Sequence, residues 1–256
     1  MEALAPSNPW IKAHAPHARA RAGLVLAEGA RLVDEALAGD WPVLALALSA
    51  AEADRHADLA ARARGRRAEV RIAQAAAMAR LSDQPAPPPV AALLEPPALD
   101  TAECGGAERW LALDSVADPG NAGTLLRTAL AFGYRTLLCG GGVQPWNEKF
   151  VRASGGAIFR EGAIARWTPP RTDLCAQLAR RGGAVLVLDG EAEETLTEAL
   201  AALRGGPLAL VVGSEAAGAR RADWPGARWA RLPMPGGAES LNAAVAGAIA
   251  LWEARK

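Results

Sequence analysis

LPMPGGAESLNAAVAGAIALWE, residues 232–253, is the stretch whose reading decides the fold. Its first half is turn chemistry: Pro233 and Pro235 fix φ, and Gly236-Gly237 admit backbone conformations that other residues resist. Its second half repeats Leu241, Val245, Ala248, Ile249 and Trp252 at helical spacing, which predicts a helix with an apolar face. Ser240 stands where an N-cap is expected. Between the halves, Ser240-Leu241-Asn242 puts two polar side chains at the helix mouth. Free N–H groups and the positive end of the dipole can receive a polar ligand there. Taken alone, the stretch reads as a capped helix packed on a sheet.

Upstream, from residue 110, strand and helix signals alternate. Strands are expected at 110–113, 136–139, 184–188, 208–212 and 229–232, helices at 121–132, 148–154, 173–181 and 196–203. That alternation predicts an α/β domain with a mostly parallel sheet. Ligands of open parallel sheets bind beyond the carboxyl ends of the strands. Three polar loops sit at such ends: DSVADPGN (114–121), GSE (213–215) and 233–242. Each has a plain explanation alone, as a turn with a helix cap, a solvated acid and a second cap. Together they describe loops converging on one site.

Absences narrow the chemistry. His14, His17 and His56 are the only histidines, so the α/β domain has none. That removes Ser-His-Asp and Cys-His hydrolase arrangements and His-based metal sites from it. No G-x-S-x-G, H-E-x-x-H or G-x-G-x-x-G occurs. Gly213 and Gly218 have the spacing of a phosphate loop, but Ala219-Arg220 follows where Lys and Ser or Thr are needed. Cys104, Cys139 and Cys175 lack disulfide-framework or zinc spacing. With no signal-type segment and no apolar run of about 18 residues, a cytoplasmic protein is expected.

Residues 1–95 read as a separate small α/β unit, with strands at 24–27, 43–48, 70–72 and 90–94 and helices at 30–38, 52–64 and 73–81. SDQPAPPP (82–89) is neither helix nor central strand. Pro96-Pro97 and the polar TAECGGAE after it mark 96–107 as a linker, leaving 108–256 as the second domain. Basic and acidic residues balance at 28 each, so any grip on phosphate must come from local patches. Two candidates are Lys12, Arg19 and Arg21, and Arg62, Arg64, Arg66 and Arg67. Each reads equally as a solvated helix end.

Three segments in order, LDSVADPGNAGTLLRTALAFG (113–133), LVVGSEAAGAR (210–220) and the opening stretch, resemble the motifs of the SpoU (TrmH) branch of the SPOUT RNA methyltransferases. KFVRASGGAIFR (149–160) is similar to the family's segment between the first two. NPWIK (8–12) and LAEG (26–29) look more loosely like its substrate-binding domain, which is similar to a ribosomal-protein fold. The resemblance implies methyl transfer from S-adenosylmethionine (AdoMet) to a ribose 2′-hydroxyl of structured RNA, ribosomal RNA ahead of transfer RNA. It also implies a deep trefoil knot and a homodimer with the active site at the subunit interface, without a membrane partner.

By the same resemblance, AdoMet would lie on backbone groups of Gly213, Leu232 and Leu241, with Met234 nearby. Arg127, Asn121, Glu215, Ser240 and Asn242 match the catalytic positions, and Arg152 joins the two basic clusters as an RNA contact. An arginine is a poor base, with a pKa above ~12, so Arg127 is expected to orient the ribose and its phosphate. Two departures stand out: the neutral charge, and small residues between Glu215 and Gly218 where relatives carry bulkier or charged ones. One competing reading is a knotted RNA-binding module that binds AdoMet with little or no activity; the intact Asn121, Arg127, Glu215 and Asn242 count against it. Another is a doubly wound nucleotide-binding oxidoreductase, which the missing glycine fingerprint opposes.

Overall fold

The computed structural model describes residues 3–99, 108–203 and 205–255. It divides into two compact units, Met1–Ala98 with Phe159–Glu161, and Leu99–Ile158 with Gly162–Lys256. Most of the expected 96–107 linker lies outside the described residues.

In the first unit the order is α1 (Pro9–Ala13), α2 (Pro16–Arg21), β1 (Val25–Glu28), α3 (Ala30–Ala38), β2 (Val43–Ser49), α4 (Ala57–Gly65), β3 (Glu69–Ala73), α5 (Ala75–Leu81) and β4 (Val90–Leu94). Helices α1 and α2 escape a periodicity reading because each has under two turns; each instead starts on a proline, whose φ is preset for the first helical position. The sheet runs β1-β4-β2-β3, parallel between β2 and β3 and antiparallel elsewhere. Central β4 buries every side chain and β2 all but Leu44, which is why both read as unbroken apolar runs.

One expected RNA contact in this unit is corrected. Arg19 is 1% exposed, and its guanidinium donates to the carbonyls of His14 (2.9 Å) and Leu81 (2.8 Å) beside Asp83. A buried cation needs such partners, and here they tie α2 to the end of α5. Arg66 donates to the carbonyls of Leu37, Gly39 and Trp41 at 2.9, 2.6 and 3.1 Å, closing the C-terminal end of α3. Arg62 pairs with Asp34 at the surface, and Lys12, Arg21, Arg64, Arg66 and Arg67 are exposed.

The second unit contains β5 (Arg109–Asp114), α6 (Pro119–Ala131), β6 (Arg135–Cys139), α7 (Glu148–Ala153), β7 (Ile164–Trp167), α8 (Arg171–Arg180), β8 (Ala184–Leu188), β9 (Glu194–Thr195), α9 (Leu196–Ala201), β10 (Leu208–Gly213), β11 (Arg228–Arg231) and α10 (Ala243–Glu253). Its strands are ordered β7-β6-β5-β10-β8-β11-β9 and every pairing is parallel. Along β5, side chains alternate between faces. Trp110 and Ala112 pack with Leu174 and Leu178 of α8, and α6 and α10 lie together, α6 against β5 and α10 against β10. Edge strands β7 and β9 gave no sequence signal: β7 buries only Ile164 and Trp167, and β9 has two residues.

Helix α10 packs on β10 as expected, but not through the apolar face that the helical spacing marks. Its buried side is small, Ala244, Gly247 and Ala250 with Leu251. A Cβ at Gly247 would collide with Leu125 of α6, so glycine here allows the two helices to approach closely. The large apolar residues face outward instead: Leu241, Val245, Ile249 and Trp252 are 38, 48, 39 and 51% exposed.

Candidate active site

β5 and β10 are neighbours at the centre of the sheet, and β5 leads through β6 to β7 on one side while β10 adjoins β8 on the other. Loops leaving their carboxyl ends therefore meet at a switch point of the topology. After β5 the chain turns at Ser115, with φ at 61°, and reaches Asp118, the N-cap of α6. Asp118 Oδ1 accepts from the Asn121 N–H at 2.8 Å, as expected of an Asp-Pro-Gly-Asn cap.

From there one chain of hydrogen bonds joins all three loops. Asn121 Nδ2 donates to Glu215 Oε1 at 3.0 Å, and Asn242 Nδ2 donates to Asn121 Oδ1 at 2.9 Å. Asn242 Oδ1 accepts from the N–H groups of Ala244 (2.9 Å) and Val245 (3.2 Å). The amide orientations are mutually enforced: a carboxylate only accepts, and the oxygen of Asn242 is taken by backbone donors. Asn242, rather than Ser240, is thus the N-cap of α10, and the Pro/Gly loop runs two residues further than expected.

Burial pushes the Glu215 carboxyl up. Donors outweigh it: the Asn121 side chain, its own N–H, and those of Ala117 (3.3 Å) and Asp118 (3.4 Å) hold it below its ordinary 4.5. Asp118 is also lowered, first by Lys149 Nζ, which donates to Oδ2 at 2.9 Å, then by the Asn121 N–H. Both are carboxylates at neutral pH.

Beside this chain a cleft of about 740 Å³ opens between segments 212–219 and 232–246. Gly213, Leu232, Met234 and Leu241 line it, together with Glu215, Ser240 and Asn242. Its volume and its mix of apolar side chains with a few polar groups suit a nucleoside-sized ligand. The loop after β10 doubles back through a Ser214–Gly218 bridge, and a Cβ on Gly213 would strike the backbone of Gly218 and Ala219. Glycine is what allows backbone to form this wall. The residues present therefore fit AdoMet.

Arg127 stands apart from the cleft. It is exposed on α6, six residues and so roughly 9 Å along the helix axis from Asn121. Its side chain lies over Gly155, where a Cβ would meet Arg127 Cδ and Nη1 at 3.2 Å. Among the described residues its guanidinium has no hydrogen-bond or ion-pair partner. Arg152 is half-buried on α7.

Several contributors escaped the sequence. The amides of Ala117 and Asp118, which hold Glu215, carry no side-chain signature. Lys149 gave no sign of its link to Asp118. Asp114, 4% exposed, accepts from Arg171 Nε (2.9 Å) and Nη2 on Oδ1 and from Trp224 Nε1 (2.8 Å) on Oδ2. Those partners lie 57 and 110 residues away, beyond the reach of any short motif.

The model of the SpoU rRNA Methylase family matches residues 108–252, more than half of the chain. The chain belongs to the SpoU rRNA methylase family. A second model, the MRM3-like substrate binding domain, matches residues 9–92. The chain is 32% identical over 251 residues to a 23S rRNA (uridine(2479)-2'-O)-methyltransferase of Streptomyces viridochromogenes, covering 92% of this chain and 84% of that one. It is 30% identical over 249 residues to the 23S rRNA (guanosine(2553)-2'-O)-methyltransferase RlmP of Bacillus subtilis (strain 168), covering 96% and 94%. The solved AdoMet-bound rRNA methyltransferase from Sinorhizobium meliloti matches with a TM-score of 0.77 at 28% identity, over 97% of this chain and 95% of that one. The family segment contains every member of the hydrogen-bond chain and the whole cleft wall.

Proposed function

We propose that this SpoU-family protein transfers a methyl group from AdoMet to a ribose 2′-hydroxyl of ribosomal RNA. The Glu215–Asn121–Asn242 chain carries this reading, because it joins the three motif loops at the wall of a cofactor-sized cleft. Family membership and relatives that act on 23S rRNA support it.

AdoMet, when bound, supplies a methyl carbon already activated by its sulfonium. The protein's contribution is then largely positioning. Gly213, Leu232, Met234 and Leu241 hold the cofactor, and Ser240 lies on the same wall. Glu215, ionised and bonded by three loop donors, fixes the first loop to the second, and Asn242 fixes both to α10. Arg127, without a partner among the described residues and always charged, orients the ribose and its phosphate.

Two finer features belong to the same reading. The segment from β11 to α10 passes from beyond β8 back to α6 and β10, the path a trefoil-knotted tail takes. The outward stripe of Leu241, Val245, Ile249 and Trp252, with Leu130 on α6 also 37% exposed, fits the same stripe on a second copy. In such a homodimer the partner subunit's copy of the arginine reaches the cleft that Arg127 cannot. The first unit is a ribosomal-protein-like substrate domain that grips RNA through exposed Lys12, Arg21, Arg64 and Arg67. Among the described residues no helix is long and apolar enough to cross a membrane, and a cytoplasmic location fits this substrate.

Arg127→Ala is the direct test. It should leave AdoMet binding within about two-fold by calorimetry and reduce transfer to ribosomal RNA at least about 100-fold. Mixed with inactive Asn242→Ala, it should regain part of the activity, since one site of the mixed dimer is intact. Unchanged turnover would sink the assignment, and absent complementation the shared site.

A further inference from the structure

Helices α6 and α7 are pressed together along a seam of glycines. A Cβ at Gly123 would collide with Ala153, and on either side Gly120 and Gly155 carry the two cations of the seam. Lys149 Cε lies 3.7 Å from the Cβ position of Gly120, and Arg127 lies over Gly155. Seven residues of α6 separate the two stations, roughly 10 Å along the helix. That is the spacing of phosphates one to two nucleotides apart on a strand. Asn147 caps α7 and accepts the Lys149 N–H at 3.0 Å, so the root of the lysine is fixed while its exposed tip rests on Asp118 alone among the described residues.

We propose that Lys149 is a phosphate-binding residue for the RNA strand, forming with Arg127 a two-point basic rail along the α6–α7 seam. This rests on the RNA reading above. Lys149 and Asp118 are 59% and 42% exposed. A surface pair of this kind contributes little to stability, so exchanging Asp118 for a phosphate oxygen costs little. The contact is electrostatic and reads backbone rather than base. In a chain of zero net charge, such local pairs of cations are where phosphate affinity must come from.

The test is a salt titration of the full-length protein with a fluorescein-labelled, mixed-sequence single-stranded RNA, scored beside calorimetry with AdoMet. Lys149→Met should weaken RNA binding about five-fold and lower the slope of log K against log salt by about 0.7, one single-strand phosphate contact. Lys149→Arg should keep the wild-type slope, and AdoMet affinity should not change in either. Asp118→Asn, which keeps an equally good helix cap, frees the lysine and removes a repelling charge, so RNA binding should tighten. A wild-type slope in Lys149→Met, or weaker binding in Asp118→Asn, overturns the proposal while leaving the methyltransferase reading intact. Salt-independent RNA binding by the wild type overturns both.

Discussion

Asp114 ends β5 and Glu215 follows β10, the neighbouring strand; both are acids in strand-end loops, and both accept several hydrogen bonds. They differ in what donates to them. Asp114 is buried and bonded to the Arg171 guanidinium and the Trp224 indole, so its charge is neutralised where it stands. Glu215 is exposed and bonded to neutral amides, so its charge remains available to the cleft. A carboxylate thus braces one loop and lines the candidate cleft at the next, and the donor set separates the two. Ser115 shows how the two connect: the brace residue Asp114 precedes the left-handed turn that aims the amides of Ala117 and Asp118 at Glu215.

The largest loss is expected at Asp114. Asp114→Ala leaves the Arg171 guanidinium and a buried indole N–H without their acceptor, and should cost about 3 kcal/mol in urea unfolding. That is the low end for breaking a buried pair, because Arg171 is 22% exposed and keeps Asp223 within 3.9 Å. A loss under about 1 kcal/mol would mean that the brace does not hold the loop.

Glu215→Gln should do the reverse. Its carboxylate uses both oxygens, Oε1 for Asn121 and Asp118 and Oε2 for Ala117. Glutamine keeps one oxygen and turns an NH₂ toward a donor. Unfolding free energy should move by less than about 1 kcal/mol because the site is exposed, while AdoMet affinity by calorimetry should fall about ten-fold. Equal loss in both measurements would erase the distinction between brace and site.

The sequence made the parallel sheet and the three loops legible for a physical reason. β10 is buried throughout, so it reads as an apolar run, and the loops after such strands carry the Pro, Gly and polar residues that cannot lie within them. What stayed hidden depends on partners distant in the chain. Arg19 and Arg127 are the same letter, yet Leu81, 62 residues away, takes the first, and among the described residues nothing pairs with the second. Periodicity identified which residues of α10 share a face. It did not say which face lies inward, because Gly247 and Ala250 allow closer packing than Ile249 and Trp252.

The smallest expected effect is the pH dependence of stability. Glu215 is held below 4.5 in the folded protein, so its ionised form is favoured over the unfolded chain. The stability it adds is fully present above 4.5 and is lost as pH falls through its folded value. Melting temperatures of the wild type and Glu215→Gln should therefore differ by a constant, small amount from pH 8 to about 5. They should converge only in more acidic solution, as the wild-type carboxyl takes up its proton and ceases to accept from both loops. Asp118 is lowered in the same direction but is present in both proteins, so its contribution cancels in the difference. If the two curves converged between pH 6 and 5 instead, burial would dominate over the amide donors, and Glu215 would resemble Asp114 in needing a charged partner.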